Sequence, residues 1–320
     1  MNSLCVTAFV FGSSFQSYIP LFIYSLKKSY PDCYPIVYVQ GALLSNIAKQ
    51  LEILNSLGKF KVVENFYNDV ELNNQRGKAV RWTVWDDEFH EYKALYYADI
   101  DIFYVREEPS LFQQHLEHCN LLNIPVSNVR RKPIVINPYH PLTFLRSAKN
   151  NTPSYAIKRL FKGIKHDNRI TGLHFVLTKE YYQRVGPLLP KYRDIIFNKI
   201  KFDTHLLGFT NEAFLLDLMN ECEWGKSIPL AENDLVMMEP ASKGNKSFRP
   251  HHGIHLSIFK SGTYDENTRN LLNSETYRSY YNKMSELRND LMFKELETFF
   301  TDEIKALLAG ADSYYQTICD

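Results

Sequence analysis

Short apolar runs alternate with stretches of helical hydrophobic spacing through the first third of the chain. The pattern predicts strands over residues 6–11, 35–40, 60–66 and 93–97, with helices between them over residues 18–29, 42–57 and 78–89. Strands that alternate with helices in this way indicate a mostly parallel sheet flanked by helices, which is a Rossmann-like α/β fold.

The remainder of the chain predicts fewer strands and more helices. Residues 170–178 have strand character, residues 211–222 have helical character, and two helical patterns follow residue 263. Residues 125–168 are rich in Pro, Asn, Arg and Lys, which predicts loops and short helices. At 320 residues the chain suits one α/β domain, residues 1–262, with a C-terminal helical extension, residues 263–320.

The composition predicts a packed core and shows a local excess of positive charge. The 21 Tyr and 21 Phe suit a packed core and a site that stacks flat groups. A net charge of +1 argues against nucleic acid as the main partner. The charge is uneven, because residues 120–170 hold one acid, Asp167, against ten basic residues: Arg130, Arg131, Lys132, Arg146, Lys149, Lys158, Arg159, Lys162, Lys165 and Arg169.

The cysteines and the apolar start of the chain bear on location. The five cysteines show neither a pairing pattern nor metal-ligand spacing, which predicts reduced thiols in the cytoplasm. The apolar run over residues 4–11 is too short for a membrane span and lacks a preceding basic region. We therefore expect any membrane contact to be peripheral, at the inner face.

The candidate chemistry begins with Asp99 and Asp101, which follow a buried apolar strand. Two carboxylates separated by one residue point the same way and offer hard oxygen ligands to Mg²⁺ or Mn²⁺. An Asp-x-Asp pattern is weak alone, and the alternative is a pair of solvated carboxylates in a strand-end turn. Its position favours the metal site, because ligands of open α/β sheets bind at the carboxyl ends of strands.

Four segments in this order resemble the metal-dependent GT-A-fold glycosyltransferases, in particular the glycogenin-like and bacterial lipopolysaccharide sugar transferases. They are VTAFVFG, RGKAVRW, LYYADIDIFY and RPHHGIHLSIFK, and the resemblance spans about residues 4–262. It implies that Phe9, Phe11 and Arg81 contact the donor nucleotide. It further implies that Asp99, Asp101 and His255 hold the metal, with Lys260 near the phosphates.

Several of these assignments have plainer alternatives. Arg81 suits a cation that stabilises the departing diphosphate, but an exposed helical Arg in a salt bridge is the commoner case. For His255 the alternative is a surface or core hydrogen bond. The family places a Gly and then a Lys at set offsets after the His, and Ser257 and Lys260 depart from those offsets.

The acceptor side is predicted from two further segments. Glu212 in FTNEAFL is the candidate base of an inverting transferase; in a retaining one it would be an acid at a helix start. Asn211 is a candidate substrate contact or N-cap. The segment TGLH resembles the family's strand that lines the sugar pocket, which assigns Gly172 and His174 to the substrate; a bulge with a half-buried His is the alternative.

These observations predict transfer of a hexose-like sugar from a nucleotide-diphospho-sugar, most simply a UDP-sugar. The predicted acceptor is a hydroxyl of a cell-surface glycan such as lipopolysaccharide, O-antigen or capsule, free or lipid-linked. The basic segment, residues 130–169, would hold an anionic acceptor or a membrane surface, or would be a solvated loop balanced by the acidic C-terminal helices.

Two other function classes stay open. A non-catalytic nucleotide- or glycan-binding domain could share the fold. A sugar nucleotidyltransferase would show a Gly-rich loop ending in basic residues after the first strand, and this chain has GSSFQSY there. The sequence leaves the oligomeric state undetermined.

Overall fold

The computed structural model describes residues 2–137, 139–142, 165–197, 199–202, 209–231 and 251–319, with the single positions 145, 157 and 161. Its strands are β1 (Asn2–Val10), β2 (Tyr34–Val39), β3 (Lys61–Val63), β4 (Tyr92–Tyr97), β5 (Ile102–Tyr104), β6 (Val126–Ser127), β7 (Arg130–Ile136), β8 (Lys165–Ile170), β9 (His174–Leu177) and β10 (Gly253–His255).

Six of these strands form the central sheet, in the order β3-β2-β1-β4-β9-β6. The pairs β2–β3, β1–β2 and β1–β4 are parallel, and β9 lies antiparallel between β4 and β6. Five strands therefore run in one direction, which confirms the mostly parallel α/β sheet. Two small antiparallel sheets, β5–β10 and β7–β8, lie beside it.

Helices connect and cover the strands. In chain order they are α1 (Ser13–Gln16), α2 (Ile19–Ser29), α3 (Ser45–Leu54), α4 (Asn74–Val80), α5 (Leu111–Leu122), α6 (Thr178–Val185), α7 (Leu189–Ile196), α8 (Asn211–Glu221), α9 (Glu266–Leu272), α10 (Glu275–Arg288), α11 (Leu291–Glu297) and α12 (Asp302–Cys319). None of these helices combines the length and the apolar content that crossing a bilayer requires.

The central sheet separates two hydrophobic cores. Leu4, Val6, Ala8 and Val10 of β1 enter one core, and Cys5 between them enters the other. This two-residue period follows from the strand geometry, in which successive side chains point to opposite faces. The first core is covered by α2, α5 and the C-terminal helices, and the second by α6, α7 and α8.

The C-terminal helices are packed into the first core. The Tyr24 ring of α2 lies 5.4 Å from that of Phe293, and the Tyr24 hydroxyl donates to the Leu287 carbonyl at 2.8 Å. Residues on both sides of the predicted boundary at 262 thus share one core. The structure confirms the predicted C-terminal helices.

Two sequence-based expectations are corrected. Residues 125–168 were expected to be loops and short helices, but β6, β7 and the start of β8 lie there. Pro133 argued against a strand here, because proline cannot donate a hydrogen bond to a sheet. It falls between Arg131 and Ile134, where the strand register shifts and no N–H is needed for pairing. The helix expected over residues 78–89 ends at Val80 and is followed by the 3-10 turns Arg81–Thr83 and Asp87–Glu91.

Candidate functional site

A cavity of about 570 Å³ opens beyond the carboxyl ends of β1 and β4. Its size is that of a small-molecule site. Ten of the eleven predicted site residues line it: Phe9, Phe11, Arg81, Asp99, Asp101, Gly172, Asn211, Glu212, His255 and Lys260. The eleventh, His174, lies outside the lining.

Asp99 follows β4 by two residues and is paired with Arg81. The Arg81 side chain is buried, and its Nη1 donates to the Ala98 carbonyl at 3.1 Å and to Asp99 Oδ1. Its guanidinium lies 4.3 Å from the ring of Trp82. The 3-10 turn Arg81–Thr83 thus aims a fixed cation at the end of β4.

Gly172 has no side chain, and this leaves space for the Arg81–Asp99 pair. A Cβ at Gly172 would lie 2.8 Å from Arg81 Nη2 and 3.8 Å from Asp99 Oδ2. With any larger residue at this position the guanidinium would have to shift. The close approach that the glycine was predicted to permit is therefore to Arg81 itself.

Asp101 and His255 meet through the small β5–β10 sheet. Ile102 and His255 are register partners, and the Leu256 N–H donates to the Asp101 carbonyl at 2.8 Å. These contacts place His255 Nε2 2.9 Å from Asp101 Oδ1. Burial alone would raise the pKa of the Asp101 carboxyl, but the attraction to His255, together with the hydrogen bonds that the carboxylate accepts from His255, Ser257 and the backbone, outweighs burial and lowers that pKa to about 2.

The donors suit a divalent metal, although they are not gathered around one point. Among the described residues, no three His, Cys, Asp or Glu side chains stand in a geometry that could hold a metal ion. Asp99, Asp101 and His255 nevertheless line one cavity and offer oxygen and imidazole donors. Binding a metal there would require Asp99 and His255 to exchange their present hydrogen-bond partners.

The charged side chains of the cavity lining are balanced. The described part of the lining includes four basic side chains, Lys78, Arg81, Arg131 and Lys260, and four acidic ones, Asp99, Asp101, Glu212 and Glu303. Because these formal charges cancel, the lining by itself offers no surplus positive charge to a diphosphate. A bound Mg²⁺ or Mn²⁺ would supply it.

An aromatic wall forms one side of the cavity. The rings of Phe9 and Phe11 stack at 6.4 Å with an interplanar angle of 14°. Phe15 continues the wall at 5.9 Å from Phe11. Such a surface suits a flat base or the face of a sugar.

His174 is fully buried behind the cavity. The Asn128 Nδ2 donates to His174 Nδ1 at 2.9 Å, and the ring packs against Trp82 at 5.8 Å between centroids. Burial, and secondarily the charge of Arg81, lowers the pKa of the His174 imidazole to about 3. A neutral side chain with no exposed surface cannot touch an acceptor directly, so the structure corrects the predicted substrate contact of His174.

Glu212 lies in the first turn of α8, where each of its carboxylate oxygens accepts a hydrogen bond from an arginine. Arg131 Nη1 and Arg169 Nη1 each lie 3.0 Å from one of the two oxygens. The N-cap of the helix is Thr210, whose hydroxyl accepts from the Ala213 N–H at 3.2 Å. Asn211 is therefore the first helical residue, not the N-cap, and its side chain faces the cavity.

The C-terminal extension supplies a wall of the cavity that sequence reasoning missed. Asn267, Thr268 and Leu271 of α9 and Glu303 of α12 belong to the lining. Glu303 Oε1 accepts a hydrogen bond from Lys260 Nζ at 2.7 Å. No local signal could have found Glu303, because it reaches the site only through the packing of the last helix.

The two histidines before β10 make hydrogen bonds within the fold. His251 lines the cavity, and its Nδ1 is hydrogen-bonded to the Tyr277 hydroxyl of α10. His252 is buried, with Glu107 on one ring nitrogen and His115 Nε2 at 2.9 Å from the other. These contacts anchor the segment that carries His255.

The sequence matches no protein-family model and no curated protein. Solved structures of glycosyltransferases are similar to it at low identity. The galactosyltransferase LgtC, solved with donor and acceptor sugar analogues, is 9% identical with a TM-score of 0.39, over 91% of this chain and 99% of LgtC.

Two further structures give comparable values. The glycosyltransferase GlyE of Streptococcus pneumoniae TIGR4 is 10% identical with a TM-score of 0.39, over 73% of this chain and 46% of GlyE, so the chain spans less than half of GlyE. The S. cerevisiae mannosyltransferase Ktr4p, solved with GDP, is 9% identical with a TM-score of 0.36, over 66% of each chain. At TM-scores of 0.36 to 0.39 these likenesses carry no conclusion about the activity of this chain, which must be argued from its own residues.

Proposed function

We propose that the protein is a metal-dependent glycosyltransferase that moves a hexose-like sugar from a nucleotide-diphospho-sugar to a hydroxyl group. The observation that carries this proposal is the cavity at the end of β4. It brings Asp99 and Asp101 together with His255 from a strand far along the chain and with the buried cation Arg81.

The charged residues of the cavity would each have a different role in binding the donor diphosphate. Asp99, Asp101 and His255 would hold Mg²⁺ or Mn²⁺, which when bound neutralises negative charge on the diphosphate as the bond to the sugar breaks. Arg81 is fixed by the Ala98 carbonyl, so it can stabilise the same charge with little rearrangement. Lys260 reaches the phosphates once it releases Glu303.

The remaining lining suits the base and the sugar. Phe9 and Phe11 would stack the base, for which uracil is our proposal. Gly172 and Asn211, which line the cavity, would face the donor sugar.

For Glu212 the geometry favours one of its two predicted roles. Both of its oxygens accept hydrogen bonds from arginines and it sits in the first turn of a helix. These contacts support a helix-start carboxylate that acts as a counter-ion, rather than a base open to an acceptor hydroxyl.

The proposed acceptor is a cell-surface glycan, free or lipid-linked, met on the cytoplasmic side of a membrane. The basic segment carries exposed apolar side chains in its described part, among them Tyr139, Leu142 and Phe161. Basic and apolar groups together suit an anionic lipid surface. Arg146, Lys149, Lys158, Arg159 and Lys162 of this segment lie outside the described residues.

Calorimetric titration with UDP, GDP and CDP, each with and without Mn²⁺, tests the proposal. We expect Mn²⁺-dependent binding of UDP that weakens at least about tenfold in Asp101→Asn, since even partners outside the ligand shell change metal affinity by about 10- to 100-fold. Glu52→Gln, an exposed carboxylate on α3 away from the cavity, is the matched control and should bind like the natural protein.

The outcomes separate the function classes. Mn²⁺-dependent binding followed by release of nucleoside diphosphate from a sugar donor supports the transferase. Binding without turnover would indicate a non-catalytic nucleotide-binding domain. No binding of any of the three nucleotides would reject the proposed donor site.

A further inference from the structure

Two arginines face each other across the small β7–β8 sheet. Arg131 of β7 and Arg169 of β8 are register partners, directly opposite on neighbouring strands. Like charges in this position repel each other and destabilise the strand pair. The pair therefore needs a negatively charged partner.

Glu212 is the only carboxylate that both arginines contact in the described part of the chain, and it balances one of the two positive charges. The three side chains are partly shielded from water, with 24% of each arginine and 18% of Glu212 exposed. At this depth, an unbalanced positive charge is more costly than at the open surface.

The two guanidinium groups also keep unused donors. The Nε atoms of Arg131 and Arg169 are buried, with no hydrogen-bond partner among the described residues. The neighbouring Arg130 differs, because its Nε donates to the Ile228 carbonyl at 2.8 Å and serves the fold. A guanidinium with free donors matches the oxygens of a carboxylate or a phosphate.

The arginine pair reaches the site through Arg131, since Arg169 lies outside the cavity lining. Arg131 and Glu212 line the same cavity as Gly172 and Asn211, the residues proposed to face the sugars. Arg169 is held beside them through the shared Glu212 carboxylate. An anionic group on a bound sugar could thus reach Arg131 from inside the cavity, and Arg169 at the position that Glu212 now occupies.

We propose that Arg131 and Arg169 form an oxyanion subsite for an acceptor sugar that carries a carboxylate or a phosphate. This inference rests on the proposed glycosyltransferase function and names the class of its acceptor. Without acceptor, Glu212 accepts a hydrogen bond from Nη1 of each arginine. The acceptor's oxyanion takes the place of Glu212 on these Nη groups or shares them with it, and the Nε donors, unsatisfied among the described residues, leave each guanidinium able to accept more negative charge. In the free protein the Glu212 carboxylate thus occupies the position of the acceptor's negative charge.

The test compares three probes by calorimetry: glucuronate, glucose 6-phosphate and glucose. Each is titrated with saturating Mn²⁺ and UDP, and again without either, so that the donor site and the arginine pair are examined separately. We expect at least one acidic probe to bind about tenfold or more tightly than glucose, the size of a charge-assisted hydrogen-bond contribution. The two acidic probes show whether carboxylate or phosphate is preferred.

Substitutions of Arg169 and of Glu212 should change the preference for acidic probes in opposite directions. Arg169→Gln should abolish the preference for acidic probes, and Glu212→Gln should strengthen it, because the competing carboxylate is gone. Arg131→Gln serves if Arg169→Gln does not fold. Arg184→Gln, an exposed arginine paired with Glu223 away from the cavity, is the matched control and should keep the preference.

Equal binding of acidic and neutral probes, no binding of either acidic probe, or a preference that survives in Arg169→Gln would overturn the subsite. A loss of acidic binding in Glu212→Gln would also overturn it, because Glu212 would then help to bind the anion. The proposed function fails differently, through absent nucleotide binding by the natural protein. The titrations without UDP still report on the arginines in that case.

Discussion

His255 Nε2 lies 2.9 Å from Asp101 Oδ1, although 154 positions separate the two residues in the chain. The pairing of β5 with β10 produces this contact, since β5 begins one residue after Asp101 and β10 ends at His255. A short antiparallel ladder thus joins a candidate metal ligand to the aspartate pair at the end of β4.

His255→Asn should weaken Mn²⁺-dependent nucleotide binding by about 10- to 100-fold, because it removes an imidazole donor next to Asp101. Titration of the nucleotide at several Mn²⁺ concentrations measures this effect. His90→Asn, at an exposed position away from the cavity, is the control. Unchanged metal dependence in His255→Asn would make His255 a structural hydrogen-bonder only.

Gly172→Ala should lower kcat/KM by about 10- to 100-fold with little loss of stability. The new methyl group would lie 2.8 Å from Arg81 Nη2 and would shift the guanidinium beside Asp99, and a misplacement of about 1 Å at a reacting centre can cost about 100-fold. Steady-state kinetics and thermal unfolding measure the two quantities. Gly186→Ala is the control, because a Cβ there meets nothing within 4 Å. Equal kinetics in the two variants would mean that the position of Arg81 does not matter.

Glu303→Gln should tighten nucleotide binding by about two- to fivefold. The substitution frees Lys260 from its 2.7 Å ion pair and removes one negative charge from the lining, and an exposed ion pair is worth about 0.2–1 kcal/mol. The neighbouring Asp302→Asn removes the same charge from an exposed position outside the lining. Calorimetry on both variants separates the local effect from overall charge, and equal changes would argue against a role for Lys260 at the phosphates.

Stability should fall as the pH drops below 6.5, partly because of His174. Burial lowers the pKa of its imidazole from 6.5 to about 3. Between these values the unfolded chain binds a proton that the folded chain does not, so acid favours unfolding, by up to about 1.4 kcal/mol per pH unit for each such histidine. His115, whose pKa is lowered by burial in the same direction, adds to this slope.

Denaturant unfolding of the natural protein and of His174→Gln between pH 5 and 6.5 measures the contribution of His174. The variant should show a shallower fall in the free energy of unfolding, with the part due to His115 retained. Equal slopes in the two proteins would show that His174 takes up its proton in the folded state.

Local patterns in the sequence were sufficient for the framework of the site. The buried run before Asp99 and Asp101 placed these carboxylates at the end of a strand, because apolar residues bounded by polar ones define a strand's limits. The polar start of α8 likewise located Glu212 in the first turn of a helix, as the structure shows. Both features depend on neighbours in sequence, which a single sequence displays.

Only the tertiary structure decided which charges share the cavity. The salt bridges of Glu212 with Arg131 and Arg169 cross 81 and 43 positions, and Lys260 meets Glu303 through the packing of the last helix. His174 lies on a predicted strand, but its burial depends on the helices that cover that face of the sheet. The period of hydrophobic residues shows which face of a helix or strand is buried. Which other element packs against that face depends on the packing of the whole chain, and no local pattern in the sequence records it.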